Sequence, residues 1–141
     1  MRADLRKLAR LQRLERIRAI AKQTAASDAA QAEGTLVQLQ TLATRTGALV
    51  ADYAARSDAR DGADLRRLAS FSDGLQGVRN RTLADAARAQ HVADLRQAEL
   101  AQAERKRAAV EDRASAQART IASGAQAPVL GSRKALGTGL E

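Results

Sequence analysis

The sequence contains no cysteine or tryptophan, and only one tyrosine, one phenylalanine, one proline and one histidine among its 141 residues. The lack of cysteine excludes disulfides, thiolate metal sites and cysteine nucleophiles. The scarcity of aromatic residues disfavours a β-sandwich, a barrel or a compact α/β core, because such cores depend on large apolar side chains. No apolar run approaches the roughly 20 residues of a membrane span, and the charged N-terminus is unlike a signal peptide. We therefore expect a cytoplasmic protein.

Alanine and charged residues are what the sequence has in abundance. The chain has 34 alanines and 17 leucines, and 28% of its residues are charged. Alanine, leucine, arginine, glutamine and glutamate are good helix formers, and this mixture is typical of long helices and coiled coils. The composition therefore predicts an all-α fold.

Two heptad repeats predict two long helices. In each repeat the apolar positions alternate in steps of four and three residues, as in the seam of a coiled coil. The first seam comprises Ala25, Ala29, Ala32, Leu36, Leu39, Ala43, Thr46, Val50 and Tyr53. The second comprises Ala86, Ala89, Ala93, Arg96, Leu100, Ala103, Arg107, Val110, Ala114 and Ile121.

The first seam meets charged residues when it is extended toward the N-terminus. The same register would place Glu15, Arg18 and Lys22 on the seam. We therefore predict a stutter, in which the seam runs through Leu14, Ile17, Ala21 and Ala25, the last three separated by two successive steps of four.

The segment between the repeats predicts a turn at about 57–62. Asp61 can cap the second helix, and an acidic residue three positions later complements the helix dipole. A short turn between two long helices folds the chain back on itself. We therefore predict a long antiparallel two-helix coiled-coil hairpin over 1–123, with helices at about 3–56 and 63–123.

Two further boundaries follow from helix-breaking residues in the second half of the chain. Gly74 and Gly77 weaken the second helix, and Asn80 or Thr82 can cap a new helix. The sequence therefore allows a kink or short break near 77–82. Ser-Gly at 123–124, Pro128 and further glycines predict a flexible C-terminal tail over 124–141.

Positive charge is concentrated at the start of the chain. The net charge is +8 overall. Residues 1–22 contain eight basic residues against Asp4 and Glu15, a net charge of +6. Such a run favours an acidic partner. Nucleic acid is disfavoured because no stacking aromatic lies nearby, and an anionic membrane is disfavoured because the leucines do not form one clean apolar face. An acidic protein groove and a merely solvated face both remain open.

A second group of residues is apolar and flanks the predicted turn. Leu42, Leu49 and Tyr53 precede it, and Phe71, Leu75 and Val78 follow it. A hairpin that closes near residue 60 brings both aromatic residues together. Such a cluster either fixes the turn or forms a binding hot spot.

No constellation in the sequence predicts catalysis. His91 is the only histidine and has no nearby cysteine or paired histidine, and no phosphate-binding glycine loop is present. A two-helix hairpin also lacks the walled pocket that perturbs a carboxylate pKa. We therefore predict a non-enzymatic protein without catalytic, cofactor-binding or metal-binding residues.

Three segments resemble the FliJ family of flagellar type III export proteins and its YscO-like injectisome counterparts. The first is the basic, leucine-rich segment 8–14 (LARLQRL). The second is the end of the first helix, 49–53 (LVADY), and the third is 68–75 (LASFSDGL), followed by Val78. The chain length and the hairpin layout are also similar to that family.

This resemblance implies a role in protein export. Family members form an antiparallel coiled coil that couples the hexameric export ATPase ring to the export gate and escorts export chaperones. The resemblance implies an ATPase-binding end formed by Arg6, Lys7, Arg10, Arg13 and Arg16. It implies a gate-binding face formed by Tyr53, Phe71, Leu75 and Val78. It further implies cytoplasmic localisation, with peripheral association at the inner membrane only through partners, and no small-molecule substrate.

Two other functions fit the same composition. One is a basic coiled coil that binds nucleic acid through its phosphates. The other is a structural coiled coil that self-associates, with helices paired between chains.

Overall fold

The computed structural model describes residues 1–56 and 59–135, with side chains described through residue 126. Helix α1 spans Arg2–Ala55 and helix α2 spans Gly62–Ala135. The two helices pack against each other in antiparallel directions, which confirms the predicted all-α hairpin. The predicted turn residues 57 and 58 and the tail residues 136–141 lie outside the described residues.

The helix pair divides into two compact units, and both helices contribute to each. The terminal unit joins Met1–Ala25 with Leu100–Glu141, and the turn unit consists of Ala26–Glu99. The two units differ in what fills the seam between their helices.

The start of α2 follows the predicted capping chemistry. The Asp64 backbone N–H donates to Asp61 Oδ1 at 2.8 Å. The Leu65 N–H donates to the Asp61 carbonyl at 3.1 Å. Asp61 thereby supplies an acceptor for an N–H that has no partner within the first turn of a helix, and it fixes where α2 begins.

Helix α2 runs without interruption through 77–82, so the break that the sequence allows there does not occur. Thr82 is buried, and its Oγ1 donates to the Val78 carbonyl one turn earlier at 2.8 Å. Gln76 Nε2 donates to Asn80 Oδ1 at 3.3 Å along the helix surface. Both candidate caps are therefore engaged within the helix, and neither starts a new one.

Helix α2 also extends past the predicted boundary at residue 123, to Ala135. A glycine stops a helix most effectively when it adopts a left-handed conformation. No glycine among the described residues has positive φ. Gly124 therefore continues the helical backbone.

The predicted heptads are confirmed in the turn unit. Ala29, Leu36 and Ala43 of α1 are at most 5% exposed, and Ala86 and Ala93 of α2 are at most 8% exposed. Alanine at these positions allows the helices to approach closely, although each residue buries little apolar area. The seam of the turn unit is therefore narrow and mostly apolar.

The predicted stutter in the terminal unit is wrong. Glu15, Arg18 and Lys22 are half-buried, whereas Ile17 and Ile20 are 61% and 68% exposed. The original heptad continues because the long aliphatic stems of arginine and lysine can lie along the seam while their charged ends reach solvent. The seam of the terminal unit therefore carries charged residues.

Candidate partner-binding surfaces

An aromatic pair lies beside the turn, as the sequence predicted. The rings of Tyr53 and Phe71 are 4.7 Å apart between centroids and inclined at 62°, an edge-to-face arrangement. The Arg56 guanidinium lies 4.3 Å from the centre of the Tyr53 ring, within the range of a cation–π contact. The pair therefore joins α1 to α2 and carries a positive charge at its border.

The α2 residues of the predicted gate-binding face lie together along an open groove. Phe71 and Val78 are 50% and 39% exposed, and Leu75 between them is half-buried. The groove is lined by Arg67, Ser70, Phe71, Gly74, Leu75 and Val78. Phe71 and Val78 are exposed because Ser72 and Arg79, one residue further along, take the half-buried seam positions.

Two leucines of α1 present a similar exposed apolar surface. Leu42 and Leu49 are each 46% exposed. Each precedes a seam residue, Ala43 and Val50 respectively, so both leucines lie on the same side of the α1 seam.

The two exposed leucines of α1 lie on the same side of the helix pair as Phe71 and Val78 of α2. Asp28 and Thr35, which continue the seven-residue spacing of Leu42 and Leu49, line one groove together with Val92 of α2. Val92 in turn continues the spacing of Phe71 and Val78 by heptads. We call the combined surface the turn-side patch, formed by Leu42, Leu49, Tyr53, Phe71, Leu75 and Val78.

The predicted ATPase-binding residues form a cationic face on the terminal unit. All five residues are exposed: Arg6, Lys7, Arg10, Arg13 and Arg16. Positions 6, 10 and 13 are spaced by four and three residues, so they form one stripe along α1. Lys7 and Arg16 flank that stripe.

The two acidic residues of this segment point away from the cationic face. Gln117 Nε2 of α2 donates to Asp4 Oδ1 at 3.4 Å. Arg107 Nη2 of α2 lies 3.5 Å from Glu15 Oε1, with both side chains about one-third exposed. The acids are therefore turned toward α2, and the outward stripe keeps its positive charge uncompensated by them.

Sequence reasoning missed the apolar end of the cationic stripe. Ile17 and Ile20 continue the spacing of positions 10 and 13 and are more than 60% exposed. The stutter prediction placed Ile17 in the seam. The unbroken heptad through Glu15, Arg18 and Lys22 predicts the outward position of Ile17 once charged residues are allowed in the seam.

The groove lined by Asp28, Thr35 and Val92 is also lined by Arg96, which forms an ion pair with Glu99. Arg96 Nη1 donates to Glu99 Oε2 at 3.0 Å. That hydrogen bond raises the pKa of the Arg96 guanidinium, and the charges of Glu99 and Asp28 add to the effect. The pair is exposed, so it contributes little to stability.

Within the described residues, no group of three or more histidine, cysteine, aspartate or glutamate side chains is placed to hold a metal ion. Neither α1 nor α2, over the same described residues, contains an apolar stretch of the length that a membrane span requires.

No protein-family model matches this chain, and no curated protein or solved structure shows significant similarity to it. The cationic face and the turn-side patch are therefore the observations from which a function is inferred.

Proposed function

We propose that this protein is a non-enzymatic coiled-coil adaptor of the type III export apparatus, most similar in role to the flagellar FliJ family. The cationic face binds the export ATPase ring, and the turn-side patch binds the export gate. The protein also escorts export chaperones and works in the cytoplasm, reaching the inner membrane only through these partners.

One observation carries the proposal. Each unit of the helix pair exposes a surface of a different chemical kind: the terminal unit a stripe of basic residues, and the turn unit a patch of leucines and aromatics. An adaptor that bridges two proteins requires two surfaces that do not compete for the same partner. The resemblance of segments 8–14, 49–53 and 68–75 to the FliJ family is the reason for proposing the export ATPase and the export gate as the two partners.

The exposure of the key side chains supports binding by both surfaces. Phe71 is half exposed although its ring contacts the half-buried Tyr53, so the pair leaves an aromatic surface accessible to a partner. Clustered aromatic and basic residues are typical of interface hot spots. The basic stripe also raises the association rate with an acidic surface by electrostatic steering.

The test is a fluorescence-anisotropy titration against the purified cognate ATPase and, separately, the soluble domain of the gate protein. We expect Arg10→Glu with Arg13→Glu to weaken ATPase binding alone, and Tyr53→Ala with Phe71→Ala to abolish gate binding while helicity is retained. Arg105→Glu with Arg119→Glu is the control for the cationic face, because both arginines are exposed on the outer side of α2 and the change in net charge is the same. Leu83→Ser is the control for the turn-side patch, because Leu83 is 45% exposed and lines a groove with Gln40 and Thr44 on the other side of the seam.

Two results would reject the proposal. The first is no binding to either export protein at about 50 μM in low salt. The second is a double variant of Tyr53 and Phe71 that melts at a much lower temperature but binds normally. That result would show that the pair stabilises the fold and does not bind the gate.

The cationic face also supports a second candidate function, nucleic-acid binding through phosphates. A gel shift of generic duplex with a steep salt dependence would favour it. A concentration-dependent dimer in sedimentation would instead favour a self-associating structural coiled coil.

A further inference from the structure

The turn-side patch is bordered by arginines that the predicted gate-binding face does not include. Arg45 lies between Leu42 and Leu49, three residues from one and four from the other, so it shares their side of α1. Arg67 lines the α2 groove together with Phe71. We call Arg45, Arg56, Arg67 and Arg81 the arginine rim.

The remaining rim members lie at the two ends of the patch. The Arg56 guanidinium covers the Tyr53 ring. Arg81 follows Val78 by three residues, and its Nε donates to the Gly77 carbonyl at 3.4 Å. Basic residues thus border the patch on both helices.

Acidic residues only partly offset the rim. Asp64 Oδ1 lies 3.7 Å from Arg67 Nη1 in an exposed pair. Asp52 follows Leu49 by three residues and is also exposed. Asp85, which continues the row of Phe71 and Val78, is paired with Arg88. The four rim arginines against Asp52 and Asp64 therefore leave a net charge of +2, so the border of the patch is positive.

This charge determines which occupant fits. A second copy of the same patch would bring two positive rims together, and like charges facing each other across an interface are unfavourable. A partner that carries carboxylates beside its apolar side chains would pair with the rim instead, since arginine forms bidentate contacts with carboxylates.

The shape of the patch favours a helix. Leu42 and Leu49 on α1, and Phe71 and Val78 on α2, each repeat after seven residues. Two such rows on neighbouring helices form a groove whose period matches the heptad of a third helix. An extended strand would need an unpaired strand edge, which a helix pair does not offer.

We propose that the turn-side patch binds an amphipathic α-helix whose apolar stripe is flanked by glutamates or aspartates, and that the arginine rim selects this acidic partner. The inference rests on the proposed function in that it specifies the chemistry of the partner at the gate-binding face.

The test uses two synthetic fluorescent peptides of about three heptads each. Both carry leucine at the same positions, but the flanking positions are glutamate in one and lysine in the other. We expect the acidic peptide to bind the full chain at least about tenfold more tightly than the basic peptide at low salt.

The cationic face also attracts an acidic peptide, so variants are needed to show which of the two surfaces the peptide binds. We expect Phe71→Ser to weaken binding of the acidic peptide by about tenfold or more, with Leu83→Ser as the control at a similarly exposed position on the other side of the seam. Arg67→Glu with Arg81→Glu should remove the preference for the acidic peptide. Arg66→Glu with Arg105→Glu makes the same change in net charge away from the patch side of α2 and should leave most of the preference intact.

Three results would overturn the inference. They are equal binding of both peptides, unchanged binding by the Phe71 variant, and a dimer of the full chain that Phe71→Ser dissociates. The peptides contain no export protein, so this test is separate from the proposed function. Acidic-peptide binding without gate binding would reject only the export role, and gate binding without a charge preference would reject only this inference.

Discussion

Two glycines of α1 should respond differently to alanine. A Cβ atom at Gly34 would meet no atom within 4 Å, whereas a Cβ atom at Gly47 would lie 3.0 Å from Nε and 3.6 Å from Cδ of Arg79. Alanine is favoured over glycine inside a helix by about 0.8–1.0 kcal/mol. Gly34→Ala should therefore raise the free energy of unfolding by about 1 kcal/mol.

Gly47→Ala should gain much less, because Arg79 must move. Arg79 is half-buried in the seam, and a side chain forced off its preferred rotamer costs about 0.5–1.5 kcal/mol. This cost is close to the helix-propensity gain, so the net effect of Gly47→Ala should be near zero. In an Arg79→Ala background the obstacle is gone, and Gly47→Ala should recover its gain of about 1 kcal/mol.

Urea denaturation followed by far-UV circular dichroism measures all four free energies of the double-mutant cycle. Gly34→Ala serves as the reference for helix propensity alone. The packing of Gly47 against Arg79 would be refuted if Gly47→Ala gained as much as Gly34→Ala in both backgrounds. No gain at Gly34 would argue against a continuous α1.

Three further predictions concern the cap, the seam and the charged pair. Asp61→Ala should lower the free energy of unfolding by about 1 kcal/mol because Asp64 loses its acceptor; in thermal melts Asp61→Asn should retain most of the stability. Leu36→Ala should cost about 2–3 kcal/mol because Leu36 is buried, whereas Leu42→Ala should cost less than about 1 kcal/mol; equal losses in urea would contradict the assigned seam. Arg107→Leu alone should be less stable in urea than the same change combined with Glu15→Leu, because the single variant leaves a half-buried carboxylate unpaired; the reverse order would contradict the pairing.

The spacing of apolar residues was sufficient to predict the two helices and the seam of the turn unit. The small and apolar residues at 29, 36, 43, 86 and 93 fit one register, and that register buries all five. The Asp61 cap was also predictable, because its hydrogen bond is local and depends on residues only three apart.

The register of the terminal unit was not predictable from local pattern. Ile17 is more apolar than Arg18, and a rule that buries apolar residues selects Ile17. The structure places Arg18 in the seam because its aliphatic stem can fill a seam position, and the heptad continues unbroken from Lys22 through Arg18 to Glu15. The register of α2 likewise leaves the apolar residues Phe71 and Val78 beside the seam. Ser72 and Arg79 occupy the seam positions instead.

The arginine rim depends on both helices at once. Arg45 and Arg67 are far apart in sequence, and only the pairing of α1 with α2 places them around one apolar patch. Exposure of the leucines and phenylalanine likewise depends on the register. The sequence therefore predicted which residues are apolar and aromatic near the turn, but not the charge that surrounds them.

A spin-label distance between Thr35→Cys and Val92→Cys tests the hairpin most directly, since both side chains line one groove. Packed helices have axes about 8–10 Å apart, so the labels should lie within roughly 25 Å of each other. The same residues on one continuous helix would be about 85 Å apart. We predict the short distance, unchanged when labelled protein is diluted with unlabelled protein. A long distance, or a short distance that disappears on dilution, would contradict a helix pair formed within one chain.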